Sequence, residues 1–438
     1  MQKLLLKMLI GGIYKMNDLK GYTMLLEFTC SNHKSILNEI LFSTIAGKDK
    51  SHEKNVKELA GFEVLKASII YGANGSGKSN FIDAITFVKE LVINSINHQP
   101  GQGIRQVPHK LSGFEKNSDY KIQFMIDNIR YVFGFSLRNM LVEEEYLYYF
   151  PNGRQTKIFE RVKNTYTAGN NFKNKFNSCK EVLKPNRLML SCAANFSAVE
   201  EVAVAYRFFN NELIVYTPAN YENWMNYSLY QINTNKQVKN AVLAFLAALG
   251  TGIKDIRVSI NKEKLESYHL PPFLSDEFKN ELLQKKFDVI SAKVVYEKIE
   301  TDLLLEESIG VRKLIGMLCP FIDIIVKGKV LICDELESSL HESIVFELVK
   351  QFINTDTKKI AQLIFTTHET GLLNLDLFRK DQIWFTEIKD SERATDLYSL
   401  AEIKSIRKED NFGKGYISGK YGAIPMLNLN FANIISNM

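Results

Sequence analysis

The chain has 438 residues, 45% of them hydrophobic and 24% charged, with a formal net charge of +5. Single hydrophobic cores stop growing at about 250–300 residues, so two or three substructures are expected, and the composition is that of a globular protein. The five cysteines, Cys30, Cys179, Cys192, Cys319 and Cys333, include no CxxC pair, which argues against zinc and a disulfide framework and for a reducing cytoplasm; the mild basicity permits nucleic-acid contact without requiring it.

Residues 1–23 begin with a basic, apolar stretch that Lys7 interrupts. It is too short to span a bilayer and has no clear cleavage site, so it reads as an N-terminal extension without an assigned role. A clean strand pattern starts at Met24. Strands are expected near Leu25–Thr29 and Val64–Tyr71, around a polar segment, Gly47 to Lys57. The apolar run Ala67 to Tyr71 leads into Gly72, Ala73, Asn74, Gly75, Ser76, Gly77, Lys78, Ser79 and Asn80, and a helix is expected from Lys78 to about Asn97, before the Pro100-Gly101-Gln102-Gly103 break.

The spacing G-x-x-x-x-G-K-[ST] between a buried strand and a helix has a physical purpose. Glycines let successive N–H groups turn inward on a triphosphate, and the helix N-terminus adds partial positive charge. Gly72 through Asn80 are therefore candidate nucleotide contacts. Lys78 is expected to reach the β- and γ-phosphates, and the Ser79 hydroxyl to ligate Mg²⁺.

Alternating runs at Tyr120–Ile126 and Arg130–Leu137, joined by Asp127-Asn128-Ile129, read as a hairpin of an antiparallel layer that Glu145–Phe150 extends. Residues 154–187 then hold nine Lys or Arg against two acids, interleaved with Phe159, Tyr166, Phe172 and Phe176. Cations for phosphates and rings for bases are what a DNA groove would use, although charge runs are usually solvated faces. Apolar patterns at Ala198–Phe209 and Val238–Leu249 suggest a helical lobe over 188–300, with a strand-like stretch at Ile256–Ile260.

The second half supplies acids. Lys329 to Glu335 is an apolar strand ending in two carboxylates, with Asp334 placed to hold Mg²⁺ and Glu335 to orient and deprotonate water. Ser308 and Gly310 open a helix before it, where a hydroxyl and a helix N-terminus can bind a γ-phosphate held by a second subunit; alternatively Ser308 is a helix cap only. Leu336 to His341 would cross a dimer interface. The next strand, Gln362–Thr367, delivers His368, which can sense a γ-phosphate or be an ordinary satisfied histidine.

This order of motifs resembles the ABC-type ATPase superfamily that includes RecF, SMC and OLD proteins. Asp334 to His341, Gln362 to His368, Asp381-Gln382-Ile383-Trp384-Phe385 and Gly419 to Pro425 more closely resemble the bacterial AAA15-type family of RloA and AbiLi proteins. Val311 stands where that signature has threonine. The resemblance implies an α/β fold, an ABC-type P-loop head of mixed sheet plus antiparallel β layer with an inserted helical lobe. Its halves fall at 24–187 and 301–438, around the lobe at 188–300. It implies catalytic roles for Lys78, Glu335 and His368, ATP and Mg²⁺ as cofactors, and a homodimer or higher homo-oligomer. It also implies a separate TOPRIM- or nuclease-like effector partner in an anti-phage or restriction-associated locus. A RecF-like DNA-repair clamp and a slow-turnover, ATP-locked scaffold are the alternatives.

Overall fold

The computed structural model describes residues 21–264, 275–355, 359–373, 375–389, 391–403 and 412–424. Residues 1–20 of the expected N-terminal extension, and Pro425 of the Gly419–Pro425 motif, lie outside them.

The chain begins with β1 (Thr23–Cys30), β2 (Ile40–Ser43), β3 (Val56–Leu59), β4 (Phe62–Leu65) and β5 (Ala67–Gly72), which feeds α1 (Lys78–Asn94). It continues through β6 (Ser118–Ile126), β7 (Ile129–Arg138), β8 (Leu141–Phe150), β9 (Thr156–Val162) and β10 (Thr165–Ala168) to α2 (Met189–Phe196), α3 (Glu200–Arg207) and β11 (Leu213–Tyr216). Next come α4 (Tyr221–Thr234), α5 (Lys236–Ala248), β12 (Asp255–Lys264), α6 (Asp276–Gln284), β13 (Lys286–Val295), β14 (Glu300–Asp302) and α7 (Ile309–Lys327). The last described elements are β15 (Val330–Cys333), α8 (Glu342–Asn354), β16 (Gln362–Thr366), β17 (Ile383–Lys389), β18 (Ala394–Ser399) and α9 (Phe412–Ile417).

Two compact units result. The larger runs up to Thr217 and adds Lys327–Ser338 and the chain from Val345 on; the other gathers Pro218–Val326 and Ser339–Ile344.

In the larger unit a six-stranded sheet has the order β11-β15-β16-β5-β17-β18, parallel except for its last pair. β5, β15 and β16 are buried at every residue, as strands covered on both faces must be, and their sequences are accordingly apolar runs rather than alternations. A seven-stranded antiparallel sheet, β10-β9-β8-β7-β6-β1-β2, forms a second layer. The mixed sheet and the antiparallel layer are those the sequence predicts.

α1 joins the two layers. Its buried residues Phe81, Ile82, Ile85, Val88 and Val92 recur at helical spacing, and Phe81 meets Phe28 and Phe42 at ring-centroid distances of 5.9 and 5.3 Å. Phe42 in turn meets Trp384 of the parallel sheet at 5.0 Å. Gln362 ties the layers by polar contact, its Oε1 accepting from the Leu25 N–H and its Nε2 donating to the Leu25 and Leu65 carbonyls.

The strand expected at Val64–Tyr71 is two strands. The ladder breaks at Lys66, whose N–H donates to the Asn55 carbonyl, and β4 pairs with β3 instead. The unit boundaries fall at 217/218 and 326/327 rather than at 187/188 and 300/301. The reason is β11, which pairs in parallel register with β15 and keeps 188–217 with the main sheet.

The smaller unit holds α4 and α5, and it also carries a three-stranded antiparallel sheet, β12-β13-β14, where a mainly helical lobe is expected. α7 packs on α4 in this unit. At the contact Ser228 Oγ donates to the Gly316 carbonyl at 2.7 Å. Among the described residues no helix is long and apolar enough to cross a membrane.

Candidate nucleotide site

β5 runs between β16 and β17 and ends at Gly72. The loop that follows turns through positive φ at Gly75 (79°) and Gly77 (108°), conformations that glycine alone adopts freely. Space also demands glycine: a Cβ would come within 2.2 Å of Thr386 Oγ1 at Gly72 and within 2.1 Å of Thr395 Oγ1 at Gly77.

Lys78 is the first residue of α1. Its Nζ folds back over the loop and donates to the carbonyls of Gly72 (2.7 Å) and Ala73 (3.1 Å). Burial lowers its pKa to about 8, against the pull of the Asp334, Glu337 and Glu335 carboxylates. Asn74, Gly75 and Ser79 are exposed, whereas Ser76, Gly77 and Lys78 are buried. Asn80, a candidate ligand contact in the sequence, directs its Nδ2 to Ser35 Oγ at 2.7 Å. The first turn of α1 contains no acidic residue, so its positive end stays available to an anion.

The acidic side lies one strand away, with β16 between β5 and β15. The Asp334 N–H donates to the Tyr216 carbonyl (2.9 Å), and its Oδ1 accepts from Thr366 Oγ1 (2.6 Å). Thr366 Oγ1 itself accepts from the Glu335 N–H (2.8 Å), so one hydroxyl orients both acids. Glu335 sits at φ 51°, a strained conformation for a side-chain-bearing residue, of the kind concentrated at functional sites.

His368 follows β16, and its N–H donates to Glu337 Oε1 at 2.6 Å. Burial and the Lys78 charge lower the His368 pKa, against Glu337, Glu335 and Asp334, so the imidazole is neutral at pH 7. The charges of Asp334, Glu335 and Glu337 thus act on both Lys78 and His368. Glu337 was legible only as part of the run after Asp334. Its Oε2 is buried without a partner among the described residues. Thr366 was legible only as part of the Gln362–His368 run, with no role assigned; Thr386, Thr395 and Ser35 carry no local motif and were invisible in the sequence.

No three His, Cys, Asp or Glu side chains among the described residues converge as a metal cage. Mg²⁺ does not need one, since it is usually held by one or two protein oxygens and substrate phosphates. Ser79 and the Asp334 carboxylate are the residues that would hold it.

Ser308 and Gly310 belong to the smaller unit. Ser308 caps α7, its exposed Oγ accepting from the Val311 N–H at 3.2 Å. Gly310 passes the Ser339 carbonyl so closely that a Cβ would stand 2.6 Å from it. Leu336 and Leu340 of the intervening run are buried.

Two stretches behind the family resemblance hold structure. Asp381 Oδ2 accepts from the Gly47 N–H (2.7 Å) and from Arg379 Nη2 (2.7 Å), and Gln382 Nε2 donates to the Ala67 carbonyl (2.6 Å), which anchors the start of β5. Tyr416 and Tyr421 stack on Phe385, with centroids 5.7 and 6.2 Å away.

Over 154–187 the fold buries most of the rings and exposes most of the cations. Phe159, Phe172 and Phe176 are buried and are not a base-stacking surface, although Lys175 Nζ lies 5.5 Å from the Phe172 ring centroid; the half-buried Tyr166 donates its hydroxyl to the Phe176 carbonyl. Arg161 is buried against Glu145, and Arg154, Lys163, Lys173, Lys175 and Lys180 are exposed. Lys173 and Lys180 border a cleft of about 520 Å³ walled by Asn164, Asn174 and Asn177.

Solved structures similar to this chain include three SMC heads. One is the SmcHead bound to the C-winged helix domain of ScpA, at 15% identity and a TM-score of 0.42, covering 86% of this chain and 97% of that one. A second is the SMC head domain from Thermotoga maritima, at 14% and 0.39, covering 86% and 98%. A third is the Smc head domain with an extended coiled coil bound to the C-terminal domain of ScpA derived from Pyrococcus furiosus, at 13% and 0.38, covering 86% and 96%. No curated protein sequence matches the chain. A family model described as "AAA domain, putative AbiEii toxin, Type IV TA system" matches residues 68–174 and 219–374, more than half of the chain. Those residues include the glycine-rich loop, Ser308, Asp334-Glu335 and His368, and the chain belongs to this AAA-domain family.

Proposed function

We propose that this protein binds and hydrolyses ATP as an ABC-type ATPase, in a pair of subunits that close over two nucleotides. The observation that carries the reading is the strand order β15-β16-β5. Three parallel strands end side by side, leading to Asp334-Glu335, His368 and the Gly72–Ser79 loop, with Lys78 close enough to sense all three acids.

In this reading Lys78 exchanges its two carbonyl contacts for the β- and γ-phosphates, and the loop N–H groups and the α1 N-terminus take the remaining charge. When bound, Mg²⁺ held by Ser79 and Asp334 neutralises charge on the phosphates. Glu335 takes the proton of the attacking water. His368, neutral and next to Lys78, hydrogen-bonds the γ-phosphate and transmits its loss. Ser308 and Gly310 of a second copy complete the site. Closure and reopening then change how a TOPRIM- or nuclease-like effector is held, in an RloA/AbiLi-like cytoplasmic defence system. The family's description as a TA-system toxin favours such a role over RecF-like repair. The exposed lysines around the 154–187 cleft favour DNA contact.

Lys78→Ala tests the site. It should abolish Mg²⁺-ATP binding, measured by titration calorimetry, because phosphate charge is left uncompensated. Binding at wild-type affinity would sink the assignment.

A further inference from the structure

The glycine-rich loop is held from outside by hydroxyls that no motif connects. Thr395 of β18 donates Oγ1–H to the Ser76 carbonyl at 3.0 Å, and its Oγ1 lies 2.7 Å from Ser35 Oγ. Ser35 Oγ accepts from Asn80 Nδ2 at 2.7 Å, and the Ser35 carbonyl accepts from the Thr395 N–H at 2.7 Å. On the other side, Ser76 Oγ lies 2.6 Å from Thr386 Oγ1 of β17, which donates to the Tyr71 carbonyl at 3.3 Å. The protons therefore have one consistent order. Asn80 donates to Ser35, Ser35 to Thr395 and Thr395 to the loop carbonyl, while Ser76 donates to Thr386 and Thr386 to Tyr71. Ser76, Thr386 and Thr395 are all buried, so each hydroxyl bond replaces water that cannot reach the site.

We propose that Thr395 and Thr386 are positioning residues for the nucleotide, and that the β17–β18 hairpin sets the curvature of the Gly72–Ser79 loop before any ligand arrives. This rests on the ATP reading of the site. A loop with three glycines samples many conformations, and ordering it on binding costs affinity unless something has ordered it already. The hairpin does so through hydroxyls in contact distance, and Gly72 and Gly77 lack a Cβ at the two points where those threonines press against the loop. A shift of the hairpin would reach the phosphates through Ser76.

The test compares the full-length wild type with Thr395→Val, Thr395→Ser, Thr386→Val and Ser35→Ala, measuring Mg²⁺-ATP affinity by calorimetry and, in parallel, circular dichroism and turnover. Valine keeps threonine's shape without its hydroxyl. One lost hydrogen bond to a buried group predicts about tenfold weaker binding for Thr395→Val and about threefold for Thr386→Val and Ser35→Ala. Thr395→Ser should stay within about twofold of wild type. KM should rise while kcat at saturation holds. A purely structural role would lower the melting temperature without moving affinity at temperatures where the protein is folded. If the wild type binds no ATP, the underlying reading fails. If the wild type binds and a folded Thr395→Val or Thr386→Val binds equally well, the positioning role is overturned.

Discussion

The Gly72–Ser79 loop and the 154–187 stretch both offer cations to phosphates, and the fold treats them in opposite ways. In the loop the backbone is the candidate binding element. Its curl follows from glycine spacing, and Lys78 waits on two carbonyls of its own loop for a better partner. In 154–187 the most securely bound cation is spent on structure. Arg161 donates to Glu145 and to the carbonyls of Lys163, Lys184 and Arg187, while Glu145 accepts from the Met189 and Leu190 N–H groups that begin α2. Burial raises the Glu145 pKa against the pull of Arg161 and those amides. A motif that specifies backbone geometry announces a site, whereas a composition announces only that cations and rings are near one another in the chain.

The strongest way to sharpen the contrast is Glu335→Gln, which keeps the side chain's reach and removes its basicity. Hydrolysis should fall by about 10²–10⁴-fold with Mg²⁺-ATP binding retained. The variant should accumulate as a closed dimer in sedimentation, and adding Ser308→Arg should dissolve it. A Glu335→Gln protein that keeps its nucleotide-free assembly state with ATP present breaks the sandwich.

Next in size is Arg161→Ala. Leaving the Glu145 carboxylate buried without its cation should cost about 3–5 kcal/mol of folding stability, read by denaturant unfolding. A loss under about 1 kcal/mol, the range of exposed pairs, would return Arg161 to the ligand-binding candidates.

A pH titration probes the loop. Lys78 loses its proton in the ligand-free protein near pH 8, and phosphates favour the charged form. Affinity should therefore fall about fivefold between pH 8 and 9, with proton uptake on binding seen by calorimetry in buffers of different ionisation heat. Folding stability should move the other way. The folded pKa lies below the unfolded 10.5, so the cost of burying the ammonium is full below pH 8 and relieved as pH rises from 8 toward 10.5. Affinity flat from pH 7 to 9 would contradict the role of the ammonium.

The smallest effect belongs to Lys173→Glu, Lys175→Glu and Lys180→Glu combined. These exposed residues should leave ATP affinity unchanged and stability within about 0.5 kcal/mol each. Any DNA binding should disappear in the variant and weaken steeply with salt in the wild type. DNA binding that survives both treatments would move the contact elsewhere.

Much of the nucleotide site was readable because its parts are short and contiguous. The run Ala67 to Ser79 encodes a buried strand, a glycine turn and a helix start in consecutive residues, and Val330 to Glu335 encodes a strand and its acids. Unreadable were the contacts made across the chain. Thr366 orients both acids from the neighbouring strand, Glu337 holds the His368 amide, and Ser35 and Thr395 meet across 360 positions. In the smaller unit the strand-like stretch Ile256–Ile260 was legible and falls in β12, whereas β13, whose buried described residues are Ala292 and Val294, was not, beside the strong helical pattern of α5.

The sequence by itself determined which backbone segments can bend around a phosphate and where the acids follow a strand, since those depend on local spacing and on the conformational freedom of glycine. Only the tertiary structure decided that β16 lies between the loop and the acids, that Phe159, Phe172 and Phe176 are buried, and that two threonines hydrogen-bond the loop. Strand order and buried hydrogen bonds between distant segments depend on which surfaces pack together, and hydrophobic burial selects a face without naming its partner.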